Sequence, residues 1–180
     1  MTPAYGYMTR NTSGSRSRCK QRLTEDFTTP MVRSVLPLIG VTLKADMRAD
    51  SDIDRQEHVD MLVQYKKKWA LLAVRIRCWC FRHYDDLTMT SSHKDGSPGE
   101  SRTADTELYF YGWADHIEPR LNEFLLADMQ GLREISLHDA MINGTGQKFS
   151  VCSLTLAQEH GLVLEHKKLA KTYADAAVFA

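Results

Sequence analysis

The stretch Leu132-Arg-Glu-Ile-Ser-Leu-His-Asp-Ala-Met-Ile142, Asn143-Gly-Thr-Gly146, Gln147-Lys-Phe-Ser-Val-Cys-Ser-Leu-Thr-Leu-Ala-Gln158 decides how this chain is read. Two alternating runs flank an Asn-Gly signal. Asn and Gly accept the positive φ of a tight turn, so the pattern predicts a long β-hairpin. If Ile142 pairs with Gln147, His138 opposes Val151 and Ala140 opposes Phe149. One face then carries Glu134, Ser136, His138, Ala140 and Ile142 with Phe149, Val151, Ser153 and Thr155. The other carries Ile135, Leu137, Asp139 and Met141 with Cys152, Leu154 and Leu156. A bulged three-residue loop would swap these groupings.

Working outward, Ile117, Leu121, Phe124, Leu125 and Met129 recur at helical spacing and predict a helix opened near Gly112. Asp115 and Glu118 are placed for a capping box there. Leu108-Tyr-Phe-Tyr111 reads as a short aromatic strand or the lead-in to that helix. Residues 91–106 are polar and rich in Ser, Gly and Asp, which predicts a mobile loop. Tyr84-Asp-Asp-Leu-Thr-Met-Thr90 reads as a helix end running into a strand.

Further upstream, Val59, Leu62, Val63, Trp69, Leu72, Ala73, Ile76, Cys80 and His83 fit a helix, broken near Lys66-Lys-Lys68. Asp50-Ser-Asp-Ile-Asp54 supplies its N-cap chemistry. The competing reading is a strand, because Leu72, Val74, Ile76, Cys78 and Cys80 also alternate. The helical pattern starts earlier and lasts longer, so the helix is preferred. Met31 to Leu43 is apolar but interrupted by Pro37 and Gly40, and it predicts an extended segment laid on the domain. Residues 1–29 are rich in Ser, Thr and Arg and predict a disordered tail, with an organellar transit peptide as the minor alternative. The division expected is 1–50, flexible or extended, and 51–180, a single α+β domain.

Composition bounds function. The 180 residues are enough for one buried core, and Lys+Arg and Asp+Glu each number 23, so net charge argues for no nucleic-acid partner. The apolar runs fall short of the roughly 20 residues of a membrane span. Cys19, Cys78, Cys80 and Cys152 lack disulfide-framework spacing, and no secretory signal opens the chain. Both features predict reduced thiols, a cytoplasmic address and unused sequons at Asn11 and Asn143. No zinc spacing, dinucleotide loop or nucleophile motif is present, so no metal and no cofactor is expected. Lys66-Lys-Lys68 reads as a solvated helix face, with phosphate binding as the weaker alternative.

His138, on the mixed face of the hairpin, is the best acid/base candidate because imidazole titrates near neutrality. The alternative is a solvent-facing or structurally satisfied histidine. Tyr84 is a candidate hydrogen-bond donor, or else belongs to the core. His93 in the polar loop is a candidate lid group. His116, His160 and His166 read as surface residues.

The order of elements resembles the SnoaL-like polyketide cyclases of the NTF2-like superfamily. The residues that carry the resemblance are Tyr84 through Thr90, Gly112 through Leu126, and the hairpin from Leu132 to Gly161. It implies an α+β cone, with a curved, mostly antiparallel sheet wrapped around N-terminal helices. It places a pocket carboxylate at Asp175 beside Val178 and Phe179, where burial would raise its pKa. With His93, Trp113, Ser136, Val151, Ser153 and Thr155 as substrate-binding residues, it implies a cofactor-free cyclase or isomerase acting on a small hydrophobic polyketide or terpenoid intermediate. A developing enolate would then be what Tyr84 bonds. The alternative is a non-catalytic NTF2-like binding or dimerisation module. An epoxide hydrolase ranks low, because Ser153 and Thr155 stand where that subgroup has Arg and Asp. A homodimer is expected through the apolar face of Ile135, Leu137, Cys152, Leu154 and Leu156.

Overall fold

The structure, a computed structural model, describes residues 25–46, 59–114, 120–136, 138–141 and 146–169. Their architecture is mixed α+β: a large curved sheet, a small second sheet and a few short helices.

Helix α1 (Glu25–Val35) runs into a 3-10 turn, Leu36–Ile39, and strand β1 (Val41–Asp46) follows at once. Thus the segment from Met31 to Leu43 is helix, turn and strand rather than the extended strap expected. Proline explains part of the difference. Pro37 sits in the first turn of the 3-10 helix, where its fixed φ fits and its missing N–H costs nothing. Gly40, at φ 67°, caps the turn by donating to the carbonyls of Leu36 and Pro37, and this redirects the chain into β1.

The region predicted as one long helix is a hairpin of β2 (Met61–Tyr65) and β3 (Lys68–Cys78), followed by a 3-10 turn, Trp79–Tyr84. The expected break at Lys66 is the hairpin turn itself: Tyr65 pairs with Lys68, and Lys66 and Lys67 occupy positive φ (47° and 68°). β4 (Asp86–Ser92) then starts where the Tyr84–Thr90 reading placed a strand. A single-turn helix, α2 (Glu100–Thr103), interrupts the expected loop. β5 (Leu108–Ala114) and β6 (Leu121–Asp128) pair antiparallel, so Leu121, Phe124 and Leu125 of the predicted helix lie in a strand, and Ile117 lies outside the described residues. Gly112 stands within β5, where an added Cβ would meet Leu121 at 2.7 Å and Ile76 at 2.9 Å. It permits a close approach of neighbouring side chains rather than starting a helix.

In the hairpin region the predicted register holds, over a shorter span. β7 (His138–Met141) pairs antiparallel with β8 (Lys148–Ser153), with His138 opposite Val151 and Ala140 opposite Phe149. The outer parts of the two predicted strands are helices instead: α3 (Met129–Ile135) and α4 (Leu154–Glu159). Each has a polar N-cap. The Asp128 carboxylate accepts from the N–H groups of Gln130 and Gly131, and Ser153 Oγ accepts from Leu156 N. Those caps satisfy donors that would otherwise be orphaned, which turns the chain helical at these points. β9 (Val163–Lys168) is the last strand among the described residues.

The large sheet has the order β1-β2-β3-β5-β6-β9, parallel only between β3 and β5. β4, β8 and β7 form the small sheet. One face of the large sheet, with Val63, Leu72, Phe110, Phe124 and Leu126, packs against Val32, Val35, Leu36 and Ile39 of α1 and its 3-10 turn. The opposite face, with Ala73, Tyr109, Tyr111, Trp113 and Leu125, packs against Leu87, Met89, Leu132, Cys152 and Leu154. Curvature is visible in one bond. Tyr65 on β2 donates to Glu165 on β9 at 3.5 Å, although β3, β5 and β6 lie between them. In a flat sheet these strands would be about 19 Å apart at the usual spacing of about 4.8 Å per strand. The sheet therefore curls towards its α1 side.

Candidate functional site between the two sheets

Arg75 and Arg77 alternate along β3, so both leave the same face of the large sheet, the one covered by β4. That placement sets up a charged seam. Arg75 Nη1 donates to Glu100 Oε1 at 3.0 Å and to Thr90 Oγ1 at 3.3 Å. Arg77 Nη1 donates to Asp86 Oδ1 at 2.7 Å and to Tyr111 Oη at 3.2 Å. Tyr111 also shares a 3.0 Å hydrogen bond with Thr88 Oγ1. Tyr109 donates to the Thr88 carbonyl at 2.9 Å and lies 3.4 Å from Glu100 Oε1. The guanidiniums lie over aromatic rings, Arg75 on Phe149 (5.2 Å) and Arg77 on Phe81 (4.9 Å), in cation–π geometry.

Electrostatics follow from burial and pairing. Burial opposes the charge of Arg75, but Glu100 and the tyrosine oxygens outweigh it and hold its pKa above the ordinary value. Arg77 behaves likewise, with Tyr111 and Asp86 as the compensating partners. Burial pushes the Tyr109 phenol well above its usual range, with Glu100 adding to the shift, so it remains a hydrogen-bond donor. Two arginines thus meet two carboxylates, and the seam is close to neutral.

A second network lies on the same face of the sheet. Glu123 on β6, only 1% exposed, accepts a fork from Arg82 Nε and Nη2, both at 2.9 Å. His166 Nε2 lies 2.7 Å from Glu123 Oε1. Burial would raise the carboxyl pKa, but hydrogen bonds from Arg82 and His166 outweigh it and bring it below the ordinary value. Arg82 also donates to Asp85 at 2.8 Å and stacks 4.8 Å from the Trp113 ring.

Of the residues expected at a site, Tyr84, Ser153 and Thr155 gather about Asp85 and Asp86 at one end of the small sheet, and the other described ones sit on separate elements. His138 is opposite Val151, which in turn is opposite Thr88, so the three share one cross-strand row of the small sheet; the His138 side chain itself lies outside the described set. Asp175, Val178 and Phe179 lie outside the described residues, as do Asp50–Asp54, His116 and Leu137. Trp113 is fully buried in the second core. Tyr84 is exposed at the end of its 3-10 turn, 4.2 Å from the ring of His83. His93 donates its backbone N–H to Ser97 O in a turn. Ser136 ends α3, Ser153 caps α4, and Thr155 donates to Asp85 at 3.4 Å. His166, expected at the surface, is instead a partner of buried Glu123.

Segment 91–106 is partly anchored. Ser91, Ala104 and Thr106 are buried, and Glu100 accepts from Thr90 N at 2.9 Å. Arg133 donates to the carbonyls of Ser101, Arg102 and Ala104, all within 2.9 Å, closing the C-terminal end of α2. Of the apolar face expected to drive dimerisation, Cys152 and Leu154 are buried in the second core and Ile135 packs against it, while Leu137 lies outside the described residues. Burial also raises the Cys152 thiol pKa. Among the described residues no helix is long and apolar enough to cross a membrane, and no group of three or more His, Cys, Asp or Glu is placed to hold a metal ion.

Sequence reasoning missed Arg75, Arg77, Glu100 and Glu123. Read as a strand, Arg75 and Arg77 would have been assigned to one face by their spacing alone. Nothing in the sequence pairs Arg82 with Glu123, which is 41 residues away. No protein-family model matches this chain, and searches of curated proteins and of solved structures returned no match.

Proposed function

We propose that this chain is a binding module, built as an NTF2-like cone, whose function lies on its outer surface rather than in an interior pocket. One observation carries the reading: side chains at or near zero exposure occupy both faces of the large sheet, and the charged groups between the layers satisfy one another. Groups already neutralised in this way are poorly suited to receive developing charge. The curl that joins Tyr65 to Glu165 supports the cone. A second reading, cofactor-free acid/base chemistry on a hydrophobic intermediate with His138 and Asp175, is favoured by the row that aligns His138 with Thr88 and so with Tyr111 and Arg77.

Ligand binding separates the two. A hydrophobic dye and a series of substituted phenols, the latter mimicking an enolate, are titrated against the full chain while its melting temperature is followed. The module reading expects no saturable binding and no thermal shift. A stabilising phenol site that is abolished by His138→Ala would overturn it in favour of the acid/base reading.

A further inference from the structure

The β2–β3 turn carries a feature the interior does not explain. In a type I′ two-residue hairpin turn both central positions take positive φ, which Asn and Gly adopt readily and lysine seldom does. Here Lys66 and Lys67 occupy them, and Lys68 follows as the first residue of β3. Local conformational preference is being given up to place three cations at the tip of a hairpin. Trp69 comes next and is 58% exposed, an unusual position for the largest apolar side chain. It leaves the sheet on the face opposite α1, paired with Gln64, which is itself paired with Thr42. Lys44 Nζ lies 5.1 Å from the Trp69 ring, and Lys66 Nζ lies 5.0 Å from the ring of Tyr65. Among the described residues, no carboxylate is within ion-pair distance of these four lysines. The chain as a whole is balanced in charge, so this is a local asymmetry and not a diffuse positive field.

We propose that this corner of the sheet binds single-stranded nucleic acid, with phosphates on Lys44, Lys66, Lys67 and Lys68 and an unstacked base on Trp69. The inference rests on the binding-module reading and names its partner. The chemistry selects this partner in two ways. Lysines are suited to phosphate oxygens as mobile point charges, and clustered on a protruding turn they can track a flexible backbone. A strand-borne aromatic is the usual platform for a splayed base, which a single strand offers and a duplex does not. An anionic lipid surface fits less well, because it rewards a band of several apolar side chains, whereas the cross-strand neighbours of Trp69 on its face are the polar Gln64 and Thr42.

The test uses the full chain and a fluorescently labelled 20-nucleotide oligo-dT, followed by anisotropy at low salt. Binding is expected, with quenching of Trp69 fluorescence. Its affinity should fall with salt on a log–log slope of about −2 to −3, as three or four phosphate contacts imply at about 0.7 per contact. Trp69→Ala should weaken binding about tenfold. The most telling variant is Lys66→Asn with Lys67→Gly. It installs the preferred turn, so its melting temperature should stay level or rise while affinity drops about tenfold. Loss of binding in a variant at least as stable as the parent cannot come from misfolding.

The proposal is overturned by no binding at tens of micromolar protein, by equal affinity for duplex DNA, by indifference to these substitutions, or by vesicles containing phosphatidylserine binding in preference to the oligonucleotide. Should it fail while phenols and dye also fail to bind, the module reading stands with another partner. Should a phenol stabilise the chain through His138, that underlying reading falls as well.

Discussion

Glu123 holds the most exacting position among the charged residues. Its carboxylate is buried, takes two bonds from Arg82 and one contact from His166, and titrates below the ordinary carboxyl range. Because its pKa is depressed by folding, the stability it supplies is full at neutral pH. That stability is lost as pH falls through the ordinary value of 4.5 and then through the lower folded value. Glu123→Gln should therefore destabilise the protein by about 2–3 kcal/mol at pH 7, the scale of a hydrogen bond to a charged group. The difference from wild type should shrink as acid neutralises the native carboxylate. Denaturant melts at pH 7 and at pH 3.5 check this, and an equal difference at both would refute the assignment. None of this was legible in the sequence, because a lone Glu in an apolar run carries no mark of its distant partner.

At the scale of elements, α2 depends on Gly99. A Cβ there would lie 2.5 Å from the Thr90 carbonyl oxygen, which is backbone and cannot swing away. Gly99 N also donates to Ser91 O at 3.1 Å, holding the helix start against β4. Gly99→Ala should cost about 1–3 kcal/mol, as overpacking typically does. It should also raise amide exchange across 99–104 more than in β5, as mass-spectrometric exchange would show. The elements that sequence reasoning recovered are those with local signatures: the β4 start after Tyr84-Asp85 and the β7–β8 register, which the Asn-Gly pair in the sequence had pointed to. The failures share a physical cause. β3, β5 and β6 pack on both faces, so their apolar residues run almost without alternation, and such a run fits a helical template as easily as a strand. The two-lysine turn removed the glycine signal that would have marked β2 and β3 as a hairpin. Of the candidate site, only the cross-strand position of His138 was legible, because the seam of Arg75 and Arg77 required β3 to be recognised first.

Across the whole molecule, two cores share one sheet. Phe110 and Phe124 stack at 5.4 Å in the core under α1, while Tyr111 and Trp113 meet edge-on at 5.0 Å in the other. Since β5 and β6 contribute alternate residues to both, neither core can melt while the other keeps its strands. Phe124→Ala should cost about 3–5 kcal/mol. It should shift the far-ultraviolet signal and the tryptophan fluorescence to the same new midpoint, although Trp113 lies in the opposite core. Separated midpoints would show that the cores unfold independently.

The curl of the large sheet also bears on how the chain is made. Strands join it in the order in which they leave the ribosome, from β1 at one edge to β9 at the other. The bond between Tyr65 and Glu165 spans 100 residues and comes last. Until β9 emerges, β6 presents a bare strand edge beside an incompletely covered core, and such edges recruit foreign strands. Vectorial growth moves that exposure along the sheet, because each new strand covers the edge left by the one before, while β1 keeps the opposite edge throughout. A nascent chain paused before Val163 would hold the β6 edge open to chaperones and to mispairing, and emergence of β9 would cover that edge.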